Sequence, residues 1–112
     1  MSKASYLHVV RVDVDPAVEG SFNEWYDQVH IPALLGCPGW LSAHRYVTLD
    51  GGPKYAAVYE ITAPWAYETP EYLGVKGFQE FEPYIRNFVR LRLGPIAAWT
   101  ASNEPGAGEA PT

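Results

Sequence analysis

Residues 22–35 read F-N-E-W-Y-D-Q-V-H-I-P-A-L-L. Phe22, Trp25 and Val29 recur at helical spacing, and Val18 extends the series upstream, so one face of a helix is expected to meet a core. Asp15-Pro16 supplies an N-cap and first-turn pair for its start. Ser21 with Glu24 offers a second start, as a capping box, because Gly20 weakens the first turn. Tyr26 and His30 lie four apart on a neighbouring stripe, with Asp27 three before the histidine. Pro32 disfavours helical geometry at Ile31, which puts His30 in the last turn. There the helix dipole and Asp27 would both favour a charged imidazole.

The composition bounds what this helix serves. At 112 residues, 47% hydrophobic and 19% charged, the chain is one globular domain with a real core. Four Trp and eight Tyr exceed what a small core needs, and suggest an aromatic-lined cavity or a buried interface. The net charge of −5, with only eight Lys and Arg, argues against a nucleic-acid partner. No apolar run is long enough for a membrane span and no signal pattern opens the chain, so a soluble cytoplasmic protein is expected. The single cysteine, Cys37, excludes an internal disulfide, and its Gly-Cys-Pro-Gly setting suits a small packing residue.

Upstream of the helix, residues 5–14, rich in β-branched side chains, predict a first strand. Downstream, P-A-L-L-G-C-P-G predicts a short helical turn and a tight connection. Residues 40–49 and 54–62 predict a hairpin closed by Asp50-Gly51-Gly52-Pro53. Thr69-Pro70 can start a short helix. A second main helix is expected over about residues 78–92, with Phe81, Ile85 and Phe88 inward and Glu82, Arg86 and Arg90 forming a solvated ion-pair face. Pro83 must begin or kink that helix. Gly94-Pro95 breaks it, and I-A-A-W-T-A-S gives a fourth strand. Residues 1–102 then form the domain, and residues 103–112 a disordered tail.

The order β-α-β-β-α-β is the ferredoxin-like arrangement, an α+β fold with one antiparallel four-stranded sheet and both helices on one face. The predicted strands carry large apolar side chains on both faces, and the chain has too few elements to cover the second. A two-fold homodimer packed sheet to sheet is the economical expectation.

The segments W-Y-D-Q-V-H-I-P, C-P-G-W, A-H-R-Y and Y-A-A-V-Y-E-I resemble the EthD-like branch of the dimeric α/β-barrel superfamily. The resemblance covers residues 6–62 and the last strand; residues 63–94 match by the order of elements alone. It implies sheets packed face to face in a dimeric barrel, and a cavity near the end of the first helix into which His30 points. Members of that superfamily include isomerases, dehydratases, decarboxylases, cyclases and cofactor-free monooxygenases acting on small cyclic or aromatic compounds, alongside many proteins of unknown activity.

For chemistry, His30 is the expected acid/base, Tyr26 the hydrogen-bond donor to a substrate oxygen, and Asp27 their support. His44, Tyr46, Tyr59, Phe78 and Phe81 are the expected pocket residues. His44 and Tyr46 alternate with Trp40 on one strand face, which either borders the cavity or forms the dimer contact; Trp40 is assigned to the contact. His8, among valines, reads as a structural histidine. No two histidines share an i, i+4 spacing, so no metal site is expected. Without a glycine-rich phosphate loop or dinucleotide fingerprint, no cofactor is expected either. The first expectation is a cofactor-independent isomerase, dehydratase or other lyase moving protons on a small apolar carbonyl or phenolic compound. Two alternatives stand beside it: a cofactor-free, oxygen-dependent monooxygenase of an aromatic or polyketide-like substrate, and a non-catalytic small-molecule-binding dimer in which His30 bonds only to protein atoms.

Overall fold

The computed structural model describes residues 5–102. The strands are β1 (Tyr6–Val14), β2 (Trp40–Val47), β3 (Tyr55–Ile61) and β4 (Ile85–Leu93), in one antiparallel sheet of order β2-β3-β1-β4. This is the ferredoxin-like topology, with the helical layer on one face. Along β1, His8, Val10, Val12 and Val14 are buried under that layer while Leu7, Val9, Arg11 and Asp13 point the other way. Ala57, Tyr59 and Ile61 continue the buried face on β3.

The first helical element is longer and less regular than its sequence suggests. It opens with a 3-10 turn, Pro16–Val18, capped by the Asp15 side chain accepting from the Ala17 N–H at 2.9 Å. It continues as α1 (Glu19–Trp25), a π turn (Tyr26–His30) and α2 (Ile31–Leu35). Pro32 therefore does not end the helix. Its ring would strike the carbonyl four residues back in an α-helix, and its missing N–H would break the ladder. The wider turn accommodates both: the Ile31 N–H bonds to the Tyr26 carbonyl five residues back, and the helix resumes. The extra residue also changes the buried face. Phe22, Tyr26, His30 and Leu34, each four apart, lie inward, whereas Val29, expected in the core, is 55% exposed.

Two further expectations are corrected. Residues 79–84 form 3-10 turns, and Ile85–Leu93 is the fourth strand rather than a helix. Of the expected inward set, Phe81 is buried, Ile85 half-buried and Phe88 exposed. Residues 96–102, expected as the fourth strand, form none, because β4 already occupies the edge beside β1. Ile96 and Trp99 there are exposed. The short helix α3 (Pro70–Val75) begins where Thr69 caps it, its hydroxyl accepting from the Tyr72 N–H. The tail expected at 103–112 lies outside the described residues. Among the described residues, no helix is long and apolar enough to cross a membrane.

Candidate active site

A cavity of about 340 Å³ lies between the sheet and the helical layer. Its floor is buried and aromatic: Tyr26 from the π turn, Trp40 from β2, Tyr59 from β3 and Phe78. His8 from β1 and His30 from the π turn stand in the same wall. The exposed members, Lys76, Glu82, Phe88 and Arg90, mark the mouth.

Each polar group on the floor is held. The hydroxyls of Tyr26 and Tyr59 are 2.6 Å apart. Nδ1 of His8 pairs with the Tyr67 hydroxyl at 3.2 Å, and the Trp40 indole N–H donates to the Ala66 carbonyl at 3.1 Å. Trp40 itself stacks on Tyr72, with ring centres 5.0 Å apart and planes at 17°. His30 is oriented by rings: it stacks on Trp25 at 4.7 Å and meets the edge of Tyr26 at 5.0 Å. Among the described residues no hydrogen bond reaches its imidazole, and no fully buried polar side-chain atom lacks a partner. The unbonded nitrogens of His30 are therefore not sealed off, and His30 lines both this cavity and a second hollow shared with Trp25, Val29 and Gly74.

Burial sets the protonation states. Desolvation pulls His30 down to about 4. His8 also falls to about 4, by burial first and then by the nearby charges of Arg92 and Arg90. Burial pushes Tyr26 up to about 12 and raises Tyr59 further, the neighbouring phenol adding to the effect. At neutral pH the cavity is thus lined by two neutral imidazoles and two protonated phenols. His30 is thus held below the near-neutral range that a helix end and Asp27 would give it. The helix runs on to Leu35, so His30 is not at its end, and Asp27 is turned away.

Tyr26, His30, Tyr59 and Phe78 meet in the wall, and four other expected site residues do not. The Asp27 carboxylate, 57% exposed, pairs with Arg45 at 2.8 Å, and Arg45 lies over the outer face of the Tyr26 ring at 4.6 Å. Phe81 packs in the core on Phe22 and Trp25. His44 and Tyr46 are exposed on the far face of the sheet. A β-bulge between Trp40 and Ser42 causes this: the extra residue reverses the alternation, so Trp40 faces the helices while His44 and Tyr46 face away. Trp40, assigned to the dimer contact, is a cavity residue. His8 does have its structural partner but also lines the cavity; its alternation with three buried valines was the available signal. Cys37 is buried, its thiol 3.4 Å from the Ala33 carbonyl. Among the described residues, no three His, Cys, Asp or Glu side chains are grouped to hold a metal ion.

No family model and no curated protein sequence matches the chain. Solved structures do. A monooxygenase from the gene ActVA-Orf6 of Streptomyces coelicolor, in complex with nanaomycin D, has a TM-score of 0.60 at 18% identity, over 88% of this chain and 93% of its own. The heme-degrader MhuD from Mycobacterium tuberculosis, with two hemes in its active site, has a TM-score of 0.63 at 13% identity, over 86% and 99%. An EthD family protein from Bacillus halodurans has a TM-score of 0.56 at 12% identity, over 76% and 95%. At these identities the likeness is one of fold: the chain is built as EthD-like proteins and small monooxygenases are built.

Proposed function

We propose that this protein is a cofactor-independent monooxygenase that oxidises an aromatic or polyketide-like compound with molecular oxygen, acting as a homodimer. The observation that carries the reading is the aromatic-walled cavity with an unbonded, neutral His30 lining it. A flat, electron-rich ring fits between such walls, and a neutral imidazole can accept the proton whose loss makes the ring oxidisable. The substrate supplies every electron. His30 takes a proton from an activated C–H or O–H, the anion passes one electron to oxygen, and the radical pair joins through a new C–O bond. The resulting peroxide takes back a proton and loses water, leaving a ketone or quinone carbon. The Tyr26–Tyr59 pair, with one O–H still free to donate, would hold the developing oxyanion.

The isomerase or lyase reading has less behind it, because the proteins of this fold include a monooxygenase in complex with nanaomycin D and a heme-degrader. The test is oxygen uptake by protein stripped of flavin and metal, against a panel of anthrones and dihydroxynaphthalenes. Uptake should match product formation one to one and stop under nitrogen. Turnover that continues without oxygen would return the reading to proton transfer.

A further inference from the structure

We infer that the cavity is built for an aromatic acid, its ring system lying on Trp40, Tyr59 and Phe78 and its carboxylate lying against Arg90 at the mouth. The inference rests on the reading above that the substrate is aromatic, and adds its charge. The chain carries a net −5, yet three of its eight Lys and Arg fall on β4, as Arg86, Arg90 and Arg92. Pairing with β1 sets Arg92 opposite His8 and Arg90 opposite Val10, on the helix-facing side. Arg86 is within 3.5 Å of the Asp15 carboxylate, and the Arg92 guanidinium sits 4.0 Å over the Tyr67 ring. Arg90 alone of the three has no such partner: among the described residues it makes no ion pair, side-chain hydrogen bond or ring contact.

The other charged groups at the mouth do not neutralise it. Glu82 accepts from the Phe78 N–H at 2.9 Å and forms no ion pair among the described residues, and Lys76 adds a second positive charge. A guanidinium beside an aromatic-walled cavity, with two neutral imidazoles and two protonated phenols behind it, leaves positive potential that an anion can satisfy. Its planar fork matches a carboxylate in particular. The competing account is that inward charges on an edge strand merely discourage pairing with other chains. On that account the cavity is indifferent to ligand charge.

Calorimetric titration with 2-naphthoate and its neutral match 2-naphthamide separates the two. The wild-type protein should bind the acid at least about tenfold more tightly in low salt, as a charge-assisted contact implies. Arg90→Gln should bring the two affinities together by weakening the acid alone, and Arg90→Lys should keep part of the preference. Equal affinities in the wild type, no binding of the acid, or a preference that survives Arg90→Gln would each overturn the inference. Oxygen uptake is read separately. A charge preference in a protein that consumes no oxygen removes the monooxygenase reading and leaves this one; uptake with no charge preference does the reverse.

Discussion

The Tyr26 and Tyr59 hydroxyls meet at 2.6 Å, one from the π turn and one from the sheet's central region, both almost wholly buried. The bond ties the helical layer to the sheet at the cavity floor. Replacing either tyrosine by Phe leaves a buried hydroxyl without its partner, at a cost of about 1–3 kcal/mol. The double replacement leaves no orphan, so it should cost less than the sum of the singles. Urea unfolding of the four-member cycle measures this, and strict additivity would sink the claim that the two hydroxyls act as a pair.

His30 has packing partners but no hydrogen-bond partner among the described residues, so its removal separates chemistry from folding. His30→Gln should keep the secondary structure and ligand affinity while lowering kcat by roughly 10²–10⁴-fold, the usual worth of a positioned acid/base. Steady-state oxygen uptake reads the effect. Unchanged kcat would assign the proton transfer elsewhere, with His8 the next group in the wall.

Both buried imidazoles also make stability depend on pH. Each has its folded value near 4, below the ordinary 6.5, so between those limits the unfolded chain binds more protons. Stability is therefore full above about pH 6.5 and falls as the pH drops toward 4, by on the order of 1–3 kcal/mol per ring. The half-buried carboxylates of Asp13 and Glu19, also held below their ordinary values by their hydrogen-bond partners, extend the loss further into acid. Denaturant midpoints taken from pH 7.5 to 4.5 should slope less in His30→Gln than in the wild type. Parallel slopes would show that His30 is not held neutral.

Much of this fold was legible in sequence because alternation and turn chemistry agree over β1, β2 and β3. The second half misled for a physical reason. Glu82, Arg86 and Arg90 keep a helical spacing of four, while a register shift opposite Arg11 and Asp13 puts Arg86 and Arg90 on opposite sides of β4, so no unbroken strand alternation runs through the segment. Phe81, Ile85 and Phe88 mimic a helical stripe, while Val89, Leu91 and Leu93 alternate plainly with Arg90 and Arg92; Pro83 was the signal against the helix. The site was half legible. Tyr26 and His30, picked out by spacing, and Tyr59 and Phe78, picked out as aromatics, line one cavity. His44, Tyr46 and Trp40 fall on other faces than expected because a one-residue bulge leaves no mark in composition, and Val29 does so because the π turn over Tyr26–His30 shifts the helical phase.

Gly39 fixes where that bulge begins and how Trp40 enters the cavity. Its φ is +86°, and a Cβ there would lie 2.9 Å from both the Ala66 Cβ and the Trp65 ring. Its carbonyl also accepts from the Thr62 N–H at 2.8 Å. Gly39→Ala combines a left-handed backbone penalty with overpacking and should cost about 2–5 kcal/mol. Gly20→Ala, with open space around it, is the control and should not destabilise. Thermal unfolding compares them, and a mild Gly39→Ala would mean that the connection can move without disturbing the wall.

The far face of the sheet presents Leu7, Val9, Val58, Val89, Leu91 and Leu93, and no element of the described chain covers it. The three β4 residues are 39–45% exposed. Arg11, on the same face, is already satisfied by the Thr48 hydroxyl and the Pro53 carbonyl, so it does not oppose a dry contact. A second copy packed on this face would cover it by two-fold symmetry, with an area of the usual size, about 800 Å² per partner. Leu91 stands opposite Val9 in the register, in the interior of that patch. Leu91→Glu would bury two unpaired carboxylates in the dimer, one from each copy, and cost nothing comparable in the monomer. Light scattering at micromolar concentration should give a dimer for the wild type and a folded monomer for Leu91→Glu. A wild-type monomer at tens of micromolar would leave the apolar face without the partner assigned to it.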